Sequence, residues 1–173
     1  MNTLTARAMR LLGQRDHGEE ELRRKLMTPP QPFVRPSSAK NWRKPPQMPA
    51  EKSAPEEINA EHVQQVIEYC YQHGWLDDNK FASRYISGRS NKGYGAQRIR
   101  SELQQKGVDK EIVNIALENS EVDWSLLAYD VATRKFGQPL PTDWKEKSKV
   151  FRYLLYRGFF QEEIHAIYRD FAD

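Results

Sequence analysis

Several features that would point to a particular class of protein are missing from this sequence. Cys70 is its only cysteine, so no disulfide can form within the chain, and its four histidines lack the spacing of metal ligands. No apolar run approaches the roughly 18 to 20 residues needed to cross a bilayer, and the N-terminal stretch lacks the apolar centre of a secretory signal. We therefore predict a cytoplasmic protein without a metal site. We also expect Cys70 to pack in the core and His17 and His165 to be solvated or to cap helices.

The sequence is equally short of patterns for catalysis or nucleotide binding. In the stretch NKGYGAQRIRSELQQKGV, Gly93 and Gly95 bracket Tyr94, but the preceding strand and the third glycine of a dinucleotide-binding turn are both missing. Residues 19–21 are all glutamate and stand where a helix begins, a place in which carboxylates favour the helix dipole. We therefore predict no enzyme and no cofactor. The two glycines are expected to shape a corner between helices, with Tyr94 either a packing anchor or an exposed contact.

Charge is segregated along the chain, although the formal net charge is only +3. Residues 84–106 contain six basic and one acidic residue, and residues 134–157 contain seven basic and two acidic residues. Residues 56–83 and 107–133, in contrast, each contain six acidic and one basic residue. Such alternation is commonly a mixed, soluble surface. Because the basic blocks recur at related places in a repeat, the alternation of charge also predicts a basic stripe able to follow a polyanion or an acidic protein groove.

Three copies of one unit explain how the chain matches itself. An offset of 77 residues places Leu22 on Ile99 and Leu26 on Leu103, and an offset of 51 places Leu103 on Leu154. Each copy contains three short segments with helical periodicity, and the sequence has no sustained strand alternation. The predicted fold is all-α, with three tandem three-helix repeats. We assign residues 1–76 to the first repeat, 77–121 to the second and 122–173 to the third.

Turn residues give the helix limits expected in the middle repeat. A first helix is predicted near residues 78–90, with Asp77 and Asp78 where it begins. The second helix stops at Gly107, because glycine tolerates the left-handed backbone that often follows a helix. Asp109 then suits an N-cap for the third helix.

The last repeat follows the same order of signals. Thr142 or Asp143 is predicted to cap its second helix, and Gly158 to end it. A terminal helix then completes the repeat. The apolar face of the second helix is assigned to Val150, Phe151, Leu154 and Leu155.

A proline-rich insert at about residues 28–56 interrupts the first repeat. Eight of the ten prolines lie between Pro29 and Pro55. Because proline removes a backbone donor and fixes φ, we expect this segment to be extended or disordered and to loop out between the second and third helices. Its Trp42, which has basic neighbours, is expected to be an exposed aromatic of this insertion, and the alternative is stacking on a base or a protein partner.

The basic flanks of the second helices are the predicted contact surface. With Ile99 and Leu103 pointing into the middle repeat, Arg98 and Lys106 would lie on the flanks of the same helix, and Arg100 about 100° from Ile99. Each flank alone would be an ordinary solvated face, but the equivalent helix is basic in all three repeats. The candidate contact residues are Arg23, Arg24, Lys25, Lys92, Tyr94, Arg98, Arg100, Lys106, Lys145, Lys149, Arg152 and Arg157.

Three segments of the sequence resemble the RecX family of bacterial regulators of the RecA recombinase: QRDHGEEELRRKL, HGWLDDNKFASRYISGRSNKGYGAQRIRSELQQKGV and ATRKFGQPLPTDWKEKSKVFRYLLYRGFF. The resemblance covers nearly the whole chain apart from the insert, and LDD and KGYGAQRIRSELQQKG are its most specific parts. One departure is Gly18, where family members often carry Ser or Thr before the EEEL helix. Glycine is an acceptable N-cap, at a cost of roughly a few tenths of a kcal/mol. The other departure is the insert, which is longer than this corner usually needs.

The resemblance implies a curved, elongated body of tandem three-helix repeats and a role without catalysis. Family members bind RecA, lodge in the helical groove of its filament on single-stranded DNA, and restrain ATP hydrolysis, strand exchange and filament growth. The implied partners are RecA and the RecA–single-stranded DNA filament, the basic stripe would also permit direct contact with DNA, and the chain is expected to be a monomer. The main alternative is a stand-alone helical nucleic-acid-binding module, which would bind DNA without RecA and with a steep salt dependence.

Overall fold

Helices supply the regular structure in the part of the chain that the computed structural model describes, residues 3–30 and 57–171. They are α1 Thr3–Gln14, α2 Glu19–Met27, α3 Ala60–Gln72, α4 Asp78–Asn91, α5 Ala96–Gln105, α6 Lys110–Glu118, α7 Trp124–Phe136, α8 Trp144–Arg157 and α9 Gln161–Asp170. No strand occurs in these two ranges, and the predicted all-α class is confirmed. The insert separates α2 from α3 as expected, although residues 31–56, with Trp42, lie outside the described residues.

Several helices begin at a side chain that caps their free backbone N–H groups. Asn59, Asp77, Asp109 and Asp123 precede α3, α4, α6 and α7, and each accepts a hydrogen bond from a backbone N–H of the first turn. Such a cap supplies a partner that the helix itself lacks, and removing it costs about 1 kcal/mol. The prediction of Asp109 as an N-cap is confirmed. Asp143 occupies the N-cap position of α8, but its side chain makes no capping hydrogen bond.

Each group of three helices closes over its own apolar core. Leu26, Leu103 and Leu154 are fully buried at equivalent places on α2, α5 and α8, as the offsets between the repeats predict. Cys70 is buried in the first core, also as predicted. The assignment of Leu155 to the apolar face of α8 is wrong, since its side chain is 41% exposed. One step along a helix turns a side chain by about 100°, and Leu154 already takes the inward direction.

The second and third units meet through the backbone, at a contact that we call the second joint (residues 92–98 against 157–160). The backbone N–H of Gly95 donates to the Arg157 carbonyl at 2.8 Å, and the N–H of Gln97 donates to the Gly158 carbonyl at 3.0 Å. The free N–H groups at the start of α5 are thus satisfied by the end of α8. The approach is so close that a Cβ on Gly95 would lie 2.3 Å from the carbonyl carbon of Gly158. Only glycine fits there.

The contact between the first and second units is called the first joint (residues 16–20 against Asp78, Arg84 and Gly107). Here a side chain, and not a backbone carbonyl, accepts the hydrogen bond from the start of the second helix. Gly18 is the N-cap of α2 and has no capping side chain of its own. Asp78 of the second unit supplies the acceptor instead, and its Oδ1 lies 2.8 Å from the backbone nitrogen of Glu19. Burial raises the pKa of Asp78, and the hydrogen bond from Glu19 acts in the opposite direction. The next unit therefore provides the cap that a Ser or Thr at position 18 would have provided.

The two joints are formed largely by residues at helix ends, together with Arg84 of α4, whose guanidinium group binds Asp16. The three cores therefore follow one another in series. Gly158 has a left-handed backbone, with φ at +96°, and ends α8 as the sequence predicts. Gly107, which has φ at +79°, ends α5 in the same way and backs onto Glu20 in the first joint. The turn that stops each second helix is thus also the surface that meets the preceding unit.

Replacing Gly95 with alanine is expected to destabilise the protein by more than about 2 kcal/mol, because the new Cβ would overlap backbone atoms of Gly158 that no side-chain rotation can move. Gly18→Ala is the matched control. Gly18 is the N-cap at the equivalent place, has a similar extended backbone, and leaves 3.4 Å between a Cβ and the Phe81 ring. Urea unfolding followed by circular dichroism compares the two variants, and equal, small losses would contradict the close approach at the second joint.

Candidate functional site

Tyr94 lies at the centre of the second joint, surrounded by guanidinium groups. The Cζ atoms of Arg89, Arg98 and Arg157 lie 3.9, 4.5 and 4.3 Å from the centroid of its ring. A cation close to an aromatic face is attracted by the quadrupole of the ring, the more so where water is partly excluded. Of the two roles left open for Tyr94, the structure shows the packing anchor. Arg98 and Arg157, both predicted contacts, are engaged in this joint.

Glu102 neutralises part of the positive charge around Tyr94. Its carboxylate accepts hydrogen bonds from Arg89 at 2.7 and 2.9 Å, from Arg98 at 3.2 Å and from the Tyr85 hydroxyl. Burial alone would raise the pKa of Glu102, but the hydrogen bonds from Arg89, Tyr85 and Arg98 bring it below its ordinary value. Arg98 is therefore a partner in an internal ion pair.

The first unit carries an equivalent ion pair with the charges exchanged. Glu21 and Lys25 stand where Arg98 and Glu102 stand in the second unit, and Lys25 Nζ lies 3.5 Å from the Glu21 carboxylate. Arg15 also binds Glu21. Burial would raise the pKa of Glu21, but the hydrogen bond and charge of Arg15 hold it at about 2, with help from the neighbouring charges. Lys25, a predicted contact residue, is thus paired with Glu21, one of the three glutamates at the start of α2.

His17 contradicts the sequence prediction, since it is neither solvated nor a cap. Its side chain is only 3% exposed, with Nδ1 2.8 Å from the Arg15 carbonyl and Nε2 2.9 Å from Lys25 Nζ. Burial lowers the pKa of His17, and the nearby charges of Lys25 and Arg15 act in the same direction. An offset of 77 residues places His17 on Tyr94, so both joints have a ring at this position.

Arg157 is held by carbonyl groups and has no carboxylate partner among the described residues. Its Nη2 donates to the Lys92 carbonyl at 2.8 Å and its Nε to the Gly93 carbonyl at 3.2 Å. Beside it lies a cavity of about 220 Å³. We call it the basic cavity, and its side-chain lining consists of Lys92, Val131, Arg134, Lys135, Tyr153 and Arg157.

Sequence reasoning missed Arg134 and Lys135 as site residues. They fall inside the basic block 134–157, but they belong to the first helix of the third repeat, whereas the predicted contact surface lies mainly on the second helices. The sequence contains a signal that could have identified them, because two adjacent basic residues stand in the last turn of α7. Both side chains are exposed and make no ion pair with any other described residue.

Two clefts lie along α5, one at each joint. The first, of about 300 Å³, has Glu20 and Arg24 of the first unit facing Gln105 and Lys106 of the second. The other, of about 480 Å³, lies between α5 and α8, and its lining includes Arg98, Ser101, Gln105, Leu155 and Tyr156. Both clefts share Glu102 and Gln105, so together they form a surface that touches all three units. We call this surface the α5 face.

The remaining candidates do not gather at one place. Arg23 binds Glu19 at 2.8 Å and Gln64 at 2.7 Å, within the first unit. Arg100 lies under the Phe160 ring, with a buried Nε that has no hydrogen-bond partner. Lys145, Lys149 and Arg152 are exposed along α8, and Lys149 pairs with Glu146 at 2.9 Å.

Within residues 3–30 and 57–171, no helix is both long and apolar enough to cross a membrane. No group of three or more His, Cys, Asp or Glu side chains is placed to hold a metal ion in these ranges.

Known three-helix domains match two of the three units. The second three-helix domain of RecX matches residues 77–117, and the third matches residues 127–167. The regulatory protein RecX of Serratia proteamaculans (strain 568) is 62% identical over 173 residues, which cover 99% of each chain. RecX of Yersinia enterocolitica serotype O:8 is 60% identical over 174 residues and covers 100% of both chains.

Solved structures with lower identity share the fold. The crystal structure of RecX from Lactobacillus salivarius matches with a TM-score of 0.71 at 16% identity, over 96% of this chain and 93% of that chain. A further crystal structure of a regulatory protein RecX gives a TM-score of 0.67 at 20% identity, over 96% and 70% of the two chains. The fold therefore defines a helical-repeat protein built from three-helix units. The chain belongs to the RecX family of regulatory proteins, while the limits assigned to the individual repeats stay a prediction.

The low pKa of Glu21 makes the stability of the first unit depend on pH. A carboxylate whose pKa is about 2 when folded, against an ordinary value of 4.5, contributes stability above pH 4.5 that is lost as the pH falls towards 2. Glu21→Gln should remove this contribution, up to about 3 kcal/mol, and should flatten the acid limb of the stability profile. Chemical unfolding between pH 2 and 7 provides the measurement. Glu118→Gln, which changes an exposed residue of α6, is the control, and identical profiles for the two variants would contradict the assignment.

Proposed function

We propose that the protein is a regulator of DNA repair and recombination that binds RecA and the RecA filament on single-stranded DNA. By binding, it inhibits ATP hydrolysis, strand exchange and filament extension. It acts in the cytoplasm as a monomer and without catalysing a reaction. Membership of the RecX family supports the regulatory role, because the relatives at 62% and 60% identity are regulatory proteins by name.

The observation that carries this proposal is the α5 face, which touches all three units. Its composition suits a protein partner, since interfaces are enriched in Tyr and Arg and these residues often contribute most of the binding energy. Tyr156 is 74% exposed and lies beside Leu155, which is 41% exposed. Arg24 provides an exposed cation at the other end of the face and makes no ion pair with a described residue.

The joints explain how such a face would restrain a filament. An elongated, curved body of three units reaches more than one RecA protomer, and the second contact then forms at a high effective concentration. Because the second joint is closed by two backbone hydrogen bonds, the units keep their relative orientation while both contacts are made. Protomers held in this way cannot change their relative positions during turnover, so ATP hydrolysis and growth slow down.

A stand-alone nucleic-acid-binding module is the second candidate, because six basic residues and one acidic residue lie in 84–106. Several of these cations are already used internally, however. Arg89 and Arg98 pair with Glu102, and Arg157, from the next basic block, is held at the second joint. DNA binding alone, without an effect on RecA, would favour this candidate.

The single-strand-dependent ATPase of RecA tests the proposal. Amounts of this protein well below those of RecA should inhibit ATP hydrolysis, because one molecule bound in the filament restrains several protomers. An ATPase rate that stays unchanged at every salt concentration would remove the proposed function.

Tyr156→Ser should weaken that inhibition by about tenfold or more, since it removes an exposed aromatic anchor from the α5 face at little cost to the fold. Ile115→Ser, at an apolar side chain on α6 that is 53% exposed, is the matched control and should inhibit like the parent protein. Arg98→Glu is a poor probe, because the new carboxylate would lie beside Glu102 and disturb the second joint itself. Equal inhibition by the two serine variants would place the contact away from the α5 face.

A further inference from the structure

Three aromatic rings meet on the surface of the first unit, where α3 ends. We call Tyr69, His73 and Trp75 the α3 aromatic cluster. The ring centroids of Tyr69 and His73 lie 3.9 Å apart, those of Tyr69 and Trp75 lie 5.5 Å apart, and those of His73 and Trp75 lie 5.0 Å apart. Tyr69 is 40% exposed and Trp75 is 39% exposed. Apolar side chains that are exposed singly are ordinary, whereas rings in mutual contact form a continuous surface that a partner can cover.

No cation of the chain accompanies these rings, although cations accompany most tyrosines of the other two units. Five of the six tyrosines that follow the first unit have a lysine or arginine cation within 6.0 Å of the ring centroid: Tyr85, Tyr94, Tyr153, Tyr156 and Tyr168. In the described part of the chain, no ring of the α3 aromatic cluster has such a neighbour. The negative faces of its rings are therefore available to a cation from another molecule.

The two cations that lie in the same region do not take this place. Lys80 and Arg84 line a small cleft together with Trp75. Arg84 is bound by the Asp16 carboxylate at 2.7 and 2.8 Å, and neither cation lies over a ring of the cluster.

The charges on α3 also favour a positively charged ligand. The helix contains two glutamates and no lysine or arginine, so no basic residue of its last turn offsets the negative end of the helix dipole. Glu68 stands directly before Tyr69, is exposed, and makes no ion pair with another described residue. An acidic helix by itself is commonly a solvated face. Here the carboxylate, the helix end and the aromatic faces all attract the same sign of charge.

Backbone hydrogen bonds hold the cluster in place. Nδ1 of His73 lies 2.9 Å from the Tyr69 carbonyl oxygen, and the backbone N–H of Trp75 donates to the Cys70 carbonyl at 2.9 Å. Gly74, with φ at +68°, makes the turn that brings Trp75 back against the helix. The rings are thus ordered before a ligand arrives, which lowers the entropy cost of binding.

We propose that the α3 aromatic cluster binds an arginine side chain in a basic segment of a partner protein. A guanidinium group is planar and more weakly hydrated than an ammonium group, so it stacks on aromatic faces more readily than lysine does. Further cations of the segment would face residues 56–83, which contain six acidic and one basic residue. The same charge repels a polyanion. No residue of the cluster lines the α5 face, so the two surfaces are separate.

The test is an NMR titration of the isotope-labelled full chain with the capped peptide acetyl-Gly-Arg-Gly-Arg-Gly-amide. The backbone amide signals of residues 68–77 should shift together, and the same peptide with lysine in place of arginine should bind more weakly. Tyr69→Leu should lower the affinity for the arginine peptide by about fivefold, because it removes a ring from an exposed helix position and keeps an apolar side chain. Tyr69→Phe keeps the ring and should bind like the parent protein. Circular dichroism checks that both variants retain their helices.

Other outcomes would contradict the proposal. Equal affinities of the leucine and phenylalanine variants would mean that negative charge alone attracts the peptide. Shifts that are as large in the acidic residues 107–133 as in residues 68–77 would mean that the peptide has no particular site. Signals of the cluster that move with protein concentration before peptide is added would show that a second copy of the chain covers it. The titration contains no RecA, so its failure leaves the proposed inhibition of the RecA ATPase standing, and failure of that inhibition leaves this surface standing.

Discussion

The structure depends on how the first N–H groups of the second helices find acceptors. A helix leaves these groups without partners, and both α2 and α5 begin at a glycine that has no side chain to offer. In each case the following unit supplies the acceptor: the Asp78 carboxylate for α2 and the carbonyls at the end of α8 for α5. Neither helix start is complete within its own unit. The folding of neighbouring units is therefore coupled, as is typical of repeat proteins whose stability includes terms for each interface.

The two joints reach this result with different chemistry, because a side-chain carboxylate accepts from the start of α2 and backbone carbonyls accept from the start of α5. Beside the joints, each unit holds a carboxylate between two cations: Glu21 binds Arg15 and Lys25, and Glu102 binds Arg89 and Arg98. The cleft at the first joint contains both signs of charge, three glutamates with Arg24 and Lys106, whereas the charged side chains around the basic cavity at the second joint are all cations.

Local features of the fold were predictable from the sequence, but the joints were not. The positions of Leu26, Leu103 and Leu154 follow from the repeat offsets, and Asp109 is a cap for the helix that comes directly after it. The cap acts within one helical turn, and the offsets compare equivalent positions within one repeated unit. Asp78 lies 59 residues from the N–H group that it caps, so its sequence neighbourhood suggested only the start of α4. His17 was misjudged for a related reason, since its burial depends on the packing of the first unit and joint.

Because the contacts at the joints could not be predicted from the sequence, counting basic residues identified only part of the candidate site. A cation can bind a partner only to the extent that its charge is not already neutralised by the protein. Sequence cannot distinguish Arg98, whose charge Glu102 compensates, from Arg134, which has no ion pair with a described residue. The recurrence of basic second helices reflects, in part, the ion pairs and stacked rings that hold the joints. What remains for a partner is a smaller set: Arg24 and Lys106 on the α5 face, the exposed lysines and arginine of α8, and Lys92, Arg134 and Lys135 at the basic cavity.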